Sequence, residues 1–157
     1  MKKLLSALII LLVLGFSGEA LATWTLTPSM VSRTPHYILW KVLCTSDGNS
    51  LTATDLVAKM SDNMKRFVTN STLMVMKISP GTGAVIPNTT IDIILSDAQE
   101  TAIFTHTTYS KDAETTGILL SEDYGAYPPV LEKLYLTLND IGDSGDQVTL
   151  YFLCWIE

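Results

Sequence analysis

The chain has 157 residues, 47% of them hydrophobic and 17% charged, and carries a formal net charge of −6. That balance argues against nucleic acid and anionic lipid as partners, because both demand clustered Lys and Arg to displace counterions, and past the first residues only Lys65-Arg66 are adjacent. The size is that of one ordinary domain around one core.

The chain opens on a basic MKK, an apolar run LLSALIILLVLGF and the small-x-small pattern Ala20-Leu21-Ala22, which together read as a bacterial-style signal peptide over residues 1–22, cleaved after Ala22. The run is shorter than the roughly 18 apolar residues of a membrane anchor. The expected product is a Sec-exported domain at residues 23–157, periplasmic or extracellular, with no stable membrane insertion after cleavage. The mature start, TWTLTP, alternates Trp24 and Leu26 with threonines. It suits either an edge strand of its own domain or a strand donated to a neighbour's sheet edge.

Period-two alternation then marks strands with one face in a core. In HYILWKVLC, Ile38, Trp40, Val42 and Cys44 share a face. The turn signal SDGNS follows, and TDLVAKMSDNMKRF spaces Leu56, Met60, Met64 and Phe67 by three and four. This spacing, with Thr54 to cap and Asp55 in the first turn, predicts a short helix near 55–67. LMVMKIS aligns Met74, Met76 and Ile78 against Lys77 and Ser79, and TTIDIILSD aligns Ile91, Ile93 and Leu95 against Thr90, Asp92 and Ser96. In KLYLTLN the inward set is Leu134, Leu136 and Leu138. The turn-rich NDIGDSGD at 139–146 then predicts a long-looped hairpin into DQVTLYFLCWIE, whose Val148, Leu150, Phe152, Cys154 and Ile156 form an apolar face.

Cys44 and Cys154 are the two cysteines of the chain, and an oxidising destination favours one disulfide between them. Both fall on the inward parity of their strands, which fits that pairing; two buried thiols or a metal pair are the alternatives. Many strands, many turns and at most one helix predict a mainly β fold, a single antiparallel β-sandwich of jelly-roll or Ig-like kind. An outer-membrane barrel would need a polar lumen face, and the final strand is apolar on both faces past Tyr151.

Catalytic and metal signals are sparse. His36 and His106 have no nucleophile motif beside them, and Asp112, Glu114, Glu122 and Asp123 read as solvated loop carboxylates. Asn139, Asp140, Asp143 and Asp146 have a composition that suits calcium without EF-hand spacing. No catalytic residue, cofactor or metal site is therefore assigned. Trp24, Tyr109, Tyr124, Tyr127, Tyr135, Tyr151 and Trp155 are left outside or ambiguous by the alternation; aromatics with little charge around them suit contact with protein or carbohydrate. Tyr135 and Tyr151 also have the parity of cross-strand neighbours.

The segments TTIDIILSD and AYPPVLEKLYLTLNDIGDSGDQVTLYF resemble small β-sandwich proteins of phage and prophage gene sets, with a Y-x-I-x-L-x-D strand, a P-V-x-x-x-L-x-L hairpin and an apolar L-Y strand. Here Ala98-Gln99 stands where that group usually has Asp-Gly. The resemblance implies a structural or accessory role without catalytic residues. The sequence as a whole leads to an exported non-enzymatic module acting through surface contacts with a protein partner or its own copies, with small-ligand or glycan binding as the alternative and a secreted hydrolase behind both.

Overall fold

A computed structural model describes residues 24–80, 91–109, 115–118, 126–139 and 143–156, with backbone alone at 80, 106–109 and 115–118. The predicted signal peptide lies outside the described residues. Among the described residues no helix is long and apolar enough to cross a membrane.

Among the described residues ten strands and one helix follow in chain order: β1 (Thr25–Arg33), β2 (Tyr37–Thr45), β3 (Leu51–Asp55), α1 (Asp62–Val68), β4 (Ser71–Pro80), β5 (Ile91–Ser96), β6 (Ala102–Tyr109), β7 (Thr115–Ile118), β8 (Pro129–Val130), β9 (Tyr135–Asn139) and β10 (Gln147–Trp155). They form two antiparallel sheets. Sheet A runs β1-β2-β10-β4-β7 with β8 on the start of β4, and sheet B runs β3-β9-β5-β6. The expected antiparallel β-sandwich is what the chain forms.

Inward-facing residues of both sheets make one core, because alternate side chains of a strand leave on opposite faces. Ile38, Trp40, Val42 and Cys44 of β2, Ile91, Ile93 and Leu95 of β5, Leu136 and Leu138 of β9, and Val148, Leu150, Phe152 and Cys154 of β10 are all fully buried. At its centre the Trp40 and Phe152 rings stack at 4.2 Å with 19° between planes. The alternation read from the sequence holds along all four strands.

It fails in β4. The register passes from Leu153↔Val75 to Cys154↔Leu73, so Met74 is an extra residue in the ladder and the inward set becomes Ser71, Leu73, Met76 and Ile78. A bulge of this kind reverses parity on either side of itself, and Met74 leaves the core face on which the spacing had put it.

The predicted helix is corrected in position. Residues 51–55 pair with β9 instead, Thr54 donates its hydroxyl to the Thr52 carbonyl, and the Asp55 carboxylate accepts from the Val57 and Leu134 amides at 2.9 and 3.4 Å. These bonds hold 55–60 in a turn against the sheet. The helix starts seven residues later, where the Ser61 hydroxyl accepts from the Met64 amide at 3.4 Å, and buries Met64 and Val68. It ends at Thr69, and Asn70, at φ 69°, turns the chain into β4.

The 139–146 hairpin is also overturned, since β9 belongs to sheet B and β10 to sheet A. The connection therefore crosses between sheets. TWTLTP belongs to the edge of its own sheet: Thr25 to Met30 pair in register with Thr45 to Trp40, and the Trp24 indole donates to the Asn49 carbonyl at 2.8 Å.

Replacing Phe152 by Ala removes half of the central ring stack and costs about 3–5 kcal/mol of unfolding free energy. Tyr151→Ala, one residue away on the outer face, costs clearly less. Urea denaturation of the two variants checks the order, and its reversal would place β10 one residue out of register.

Candidate functional site

β2 and β10 carry apolar and aromatic side chains on their outward side as well as in the core, and that outward side carries the candidate site. In the pleat, Tyr37, Leu39, Lys41 and Leu43 of β2 stand opposite Trp155, Leu153, Tyr151 and Thr149 of β10, and Val75, Lys77 and Ser79 continue the rows onto β4. Leu39, Val75, Lys77, Tyr151 and Leu153 line a shallow depression of about 360 Å³. Beside it the Trp155 ring stacks on His36 at 5.8 Å and meets Tyr37 edge-on at 4.9 Å. Trp155 and Tyr37 remain 37% and 38% exposed, which is unusual for large rings with a core available.

Across this face Lys41, Tyr151 and Lys77 are direct register partners on three adjacent strands. Two inter-strand spacings put the lysine backbones about 10 Å apart with the tyrosine between them. The Lys41 ammonium sits 6.0 Å from the Tyr151 ring centroid, a long cation–π contact. Among the described residues, the strands of sheet A contain Arg33, Lys41 and Lys77 and no carboxylate, whereas those of sheet B contain Asp55 and Asp92 and no Lys or Arg. Arg33 turns to the rim and lies over Phe67 at 3.6 Å, so the described outer face of sheet A holds two lysines as its charges.

The other residues singled out from the sequence are dispersed. Trp24 packs against the core, Tyr127 is 43% exposed, and Tyr135 lies on sheet B, so it is no neighbour of Tyr151. His106 lies in β6 opposite Ile93, and Tyr109 opposite Ile91. Asp112, Glu114, Glu122, Asp123, Tyr124 and Asp140 lie outside the described residues. Of the acidic run, Asp146 is buried, and its carboxylate accepts from the Asp143 amide at 3.0 Å. The Ser46 amide donates to the Asp146 carbonyl and the Gly145 amide to the Ser46 carbonyl, at 2.8 and 2.9 Å. These groups stitch two turns together. Among the described residues no group of three or more His, Cys, Asp or Glu is placed to hold a metal ion.

The disulfide is a correction. Both sulfurs point inward and are buried, yet the cysteines are free thiols. Cys44 pairs with Val148 and Cys154 with Ile38, so they lie at opposite ends of one antiparallel pair. Six residues of strand separate them by about 20 Å, far beyond the roughly 7 Å that a disulfide spans between Cα atoms. Burial raises both thiols. Cys154 is pushed up to about 11, partly offset by hydrogen bonds from Trp40 and Ser71; the indole nitrogen of Trp40 lies 3.2 Å from its sulfur. Cys44 is raised by desolvation alone.

No protein-family model and no curated protein matches the chain. A solved structure reported as the "Structural basis for the promiscuous specificity of the carbohydrate-binding modules from the beta-sandwich super family" is similar at 19% identity and a TM-score of 0.31, over 90% of this chain and 60% of its own. This chain thus spans less than two thirds of that neighbour. A likeness of that size bears on neither ligand nor activity.

Two predictions concern the thiols. Titrated without reductant, the protein should show no fast-reacting thiol when folded and two per chain once unfolded; absence of signal on unfolding would restore a disulfide. The second is a pH dependence. Cys154 ionises near its ordinary 9.0 when unfolded and at about 11 when folded, so over that interval the folded state holds a proton the unfolded chain has lost. Its contribution is complete below about pH 9 and lost as pH rises toward 11. Denaturation curves should show this fall, and Cys154→Ala should make it shallower.

Proposed function

We propose that the chain is an exported, non-enzymatic module, a structural or assembly subunit, that acts by surface contact through the outer face of sheet A and whose partner is another protein. The observation that carries this is the composition of that face. A sandwich normally turns polar side chains to water on the side away from its core, whereas here Leu39, Leu43, Val75 and Leu153 surround Tyr151, with Trp155 and Tyr37 at one end. Contiguous apolar and aromatic surface with few charges is the character of a protein-contact patch. The non-enzymatic part of the reading comes from the sequence, in which His36 and His106 have no nucleophile motif beside them. Export rests on the basic, apolar and small-residue sequence of residues 1–22.

A second reading, glycan binding, has its own support. The exposed Tyr37 and Trp155 rings offer flat stacking surfaces, and Thr45, Gln147, Thr149 and Ser79 line the opposite end of the same face with hydroxyl and amide groups.

A photo-crosslinking residue placed at Leu153, and separately at Thr137 of sheet B, tests both in the native cells. A protein partner yields a discrete adduct from Leu153 and none from Thr137. A polydisperse carbohydrate adduct selects the glycan reading, and no adduct from Leu153 removes this face from the function.

A further inference from the structure

We infer that a hollow between three connections at one end of the sandwich is a binding site for a single neutral sugar ring. The site is separate from the outer face of sheet A, and the inference goes beyond the contact reading of that face.

The topology builds the hollow. Thr69 and Asn70 join α1 to β4, Ala98 and Gln99 lie between β5 and β6, and Leu131 and Glu132 lie between β8 and β9. These six residues line a space of about 280 Å³, to which β4 brings sheet A and β5, β6 and β9 bring sheet B. Such a volume is at the small end of ligand pockets, so it takes one ring and not a run of them. Its walls are set before any ligand arrives. The Asn70 amide donates to the Val130 carbonyl at 2.6 Å, tying the first connection to the third. In the second, the Asp97 carboxylate accepts from the Gln99 and Thr101 amides, each at 2.8 Å. Asn70 sits at φ 69°, a left-handed conformation that Asn adopts more readily than most residues. Backbone already held in this way loses little further freedom when a ligand binds.

The lining chemistry selects the ligand. Asn70 and Gln99 each carry an amide that donates and accepts, Thr69 carries a hydroxyl that does both, and Glu132 carries a carboxylate that accepts only. Asn70, Gln99 and Glu132 are exposed and Thr69 is half-buried, so a small solute reaches all four. Sugar hydroxyls complement this set, because each donates and accepts, and two neighbouring ones can share one carboxylate. An ammonium group donates only and leaves the amide donors unused, while an acidic ligand meets Glu132 as a like charge. Ala98 and the 47% exposed Leu131 offer apolar contact to the C–H face of the ring.

The test is an NMR titration of the isotope-labelled protein with the methyl glycosides of glucose, galactose and mannose, with glycerol and methylammonium as comparisons. At least one glycoside should give saturable shifts at Asn70, Gln99, Leu131 and Glu132, and should bind more tightly than glycerol. Asn70→Gly, which keeps the left-handed turn, and Glu132→Gln should each weaken that glycoside roughly fivefold, the loss expected for a hydrogen bond. The comparison with glycerol on the unaltered protein decides the matter even if a variant fails to fold. The inference is overturned if no glycoside saturates, if glycerol binds as tightly as the best of them, or if methylammonium binds the same residues more tightly, the hollow then being an amine site. It is also overturned if the shifts are confined to Tyr37, Tyr151 and Trp155, which would place sugar on the outer face of sheet A. A hollow that binds nothing leaves that face untouched, since crosslinking from Leu153 reports on it independently.

Discussion

The register of β10 against its two neighbours is the constraint on which the rest of the molecule depends. β10 is the middle of sheet A, paired with β2 on one side and β4 on the other, and its alternate residues supply the core ring of Phe152 and the outer ring of Tyr151. Because the period of a strand is two, a slip of one residue exchanges these faces completely. Tyr151 and Leu153 would enter the core, and Phe152 would face water. Core and contact face are therefore set by one pairing and cannot vary independently.

What the sequence disclosed is which face each side chain occupies. Period-two spacing located the inward residues of β2, β5, β9 and β10, because burial on one side of a pleat leaves a local, repeating signature. Position along a strand and identity of the partner strand leave none. Cys44 and Cys154 show the difference: their parity was read correctly, yet antiparallel pairing puts them at opposite ends, since parity carries no axial coordinate. The link from β9 to β10 was misread for the same reason, as a turn-rich loop between two alternating strands looks alike whether it folds back within a sheet or crosses to another. At Met74 the local rule itself was interrupted by a bulge. In the helix, the spacing of Leu56, Met60 and Met64 did mark buried residues, while the Asp55 carboxylate and the pairing of β3 with β9 decided where helical turns begin.

The candidate face was half visible. The second faces of HYILWKVLC and LYFLCWI are apolar around Lys41 and Tyr151, a signal that became meaningful only once the two strands were known to be adjacent. Leu39, Leu43, Val75 and Leu153 were not singled out for function, because the alternation put them on the side of each strand away from the core, where single apolar residues are ordinary. The distribution of charge over the described strands of the two sheets was invisible for a similar reason. It is a property of sheet membership, and β4 and β10, or β5 and β9, are brought together by topology and not by proximity in the chain.

The central place of β10 also orders the folding of the protein in time. β2 and β4 do not pair with each other; each pairs with β10, which follows the other described strands in sequence. The contact between Trp40 and Cys154 joins residues 114 apart in sequence. Until β10 arrives, the β1-β2 hairpin and β4 have facing edges with nothing between them, and the core lacks the ring that stacks on Trp40. Loop-closure entropy must be met before any of this pairing rewards it, which makes closure of sheet A a slow, non-local step. Unpaired strand edges in the meantime are the surfaces on which such chains associate wrongly. Sheet B, whose β5-β6 hairpin is local, can form ahead of it and serve as the template on which the other sheet closes.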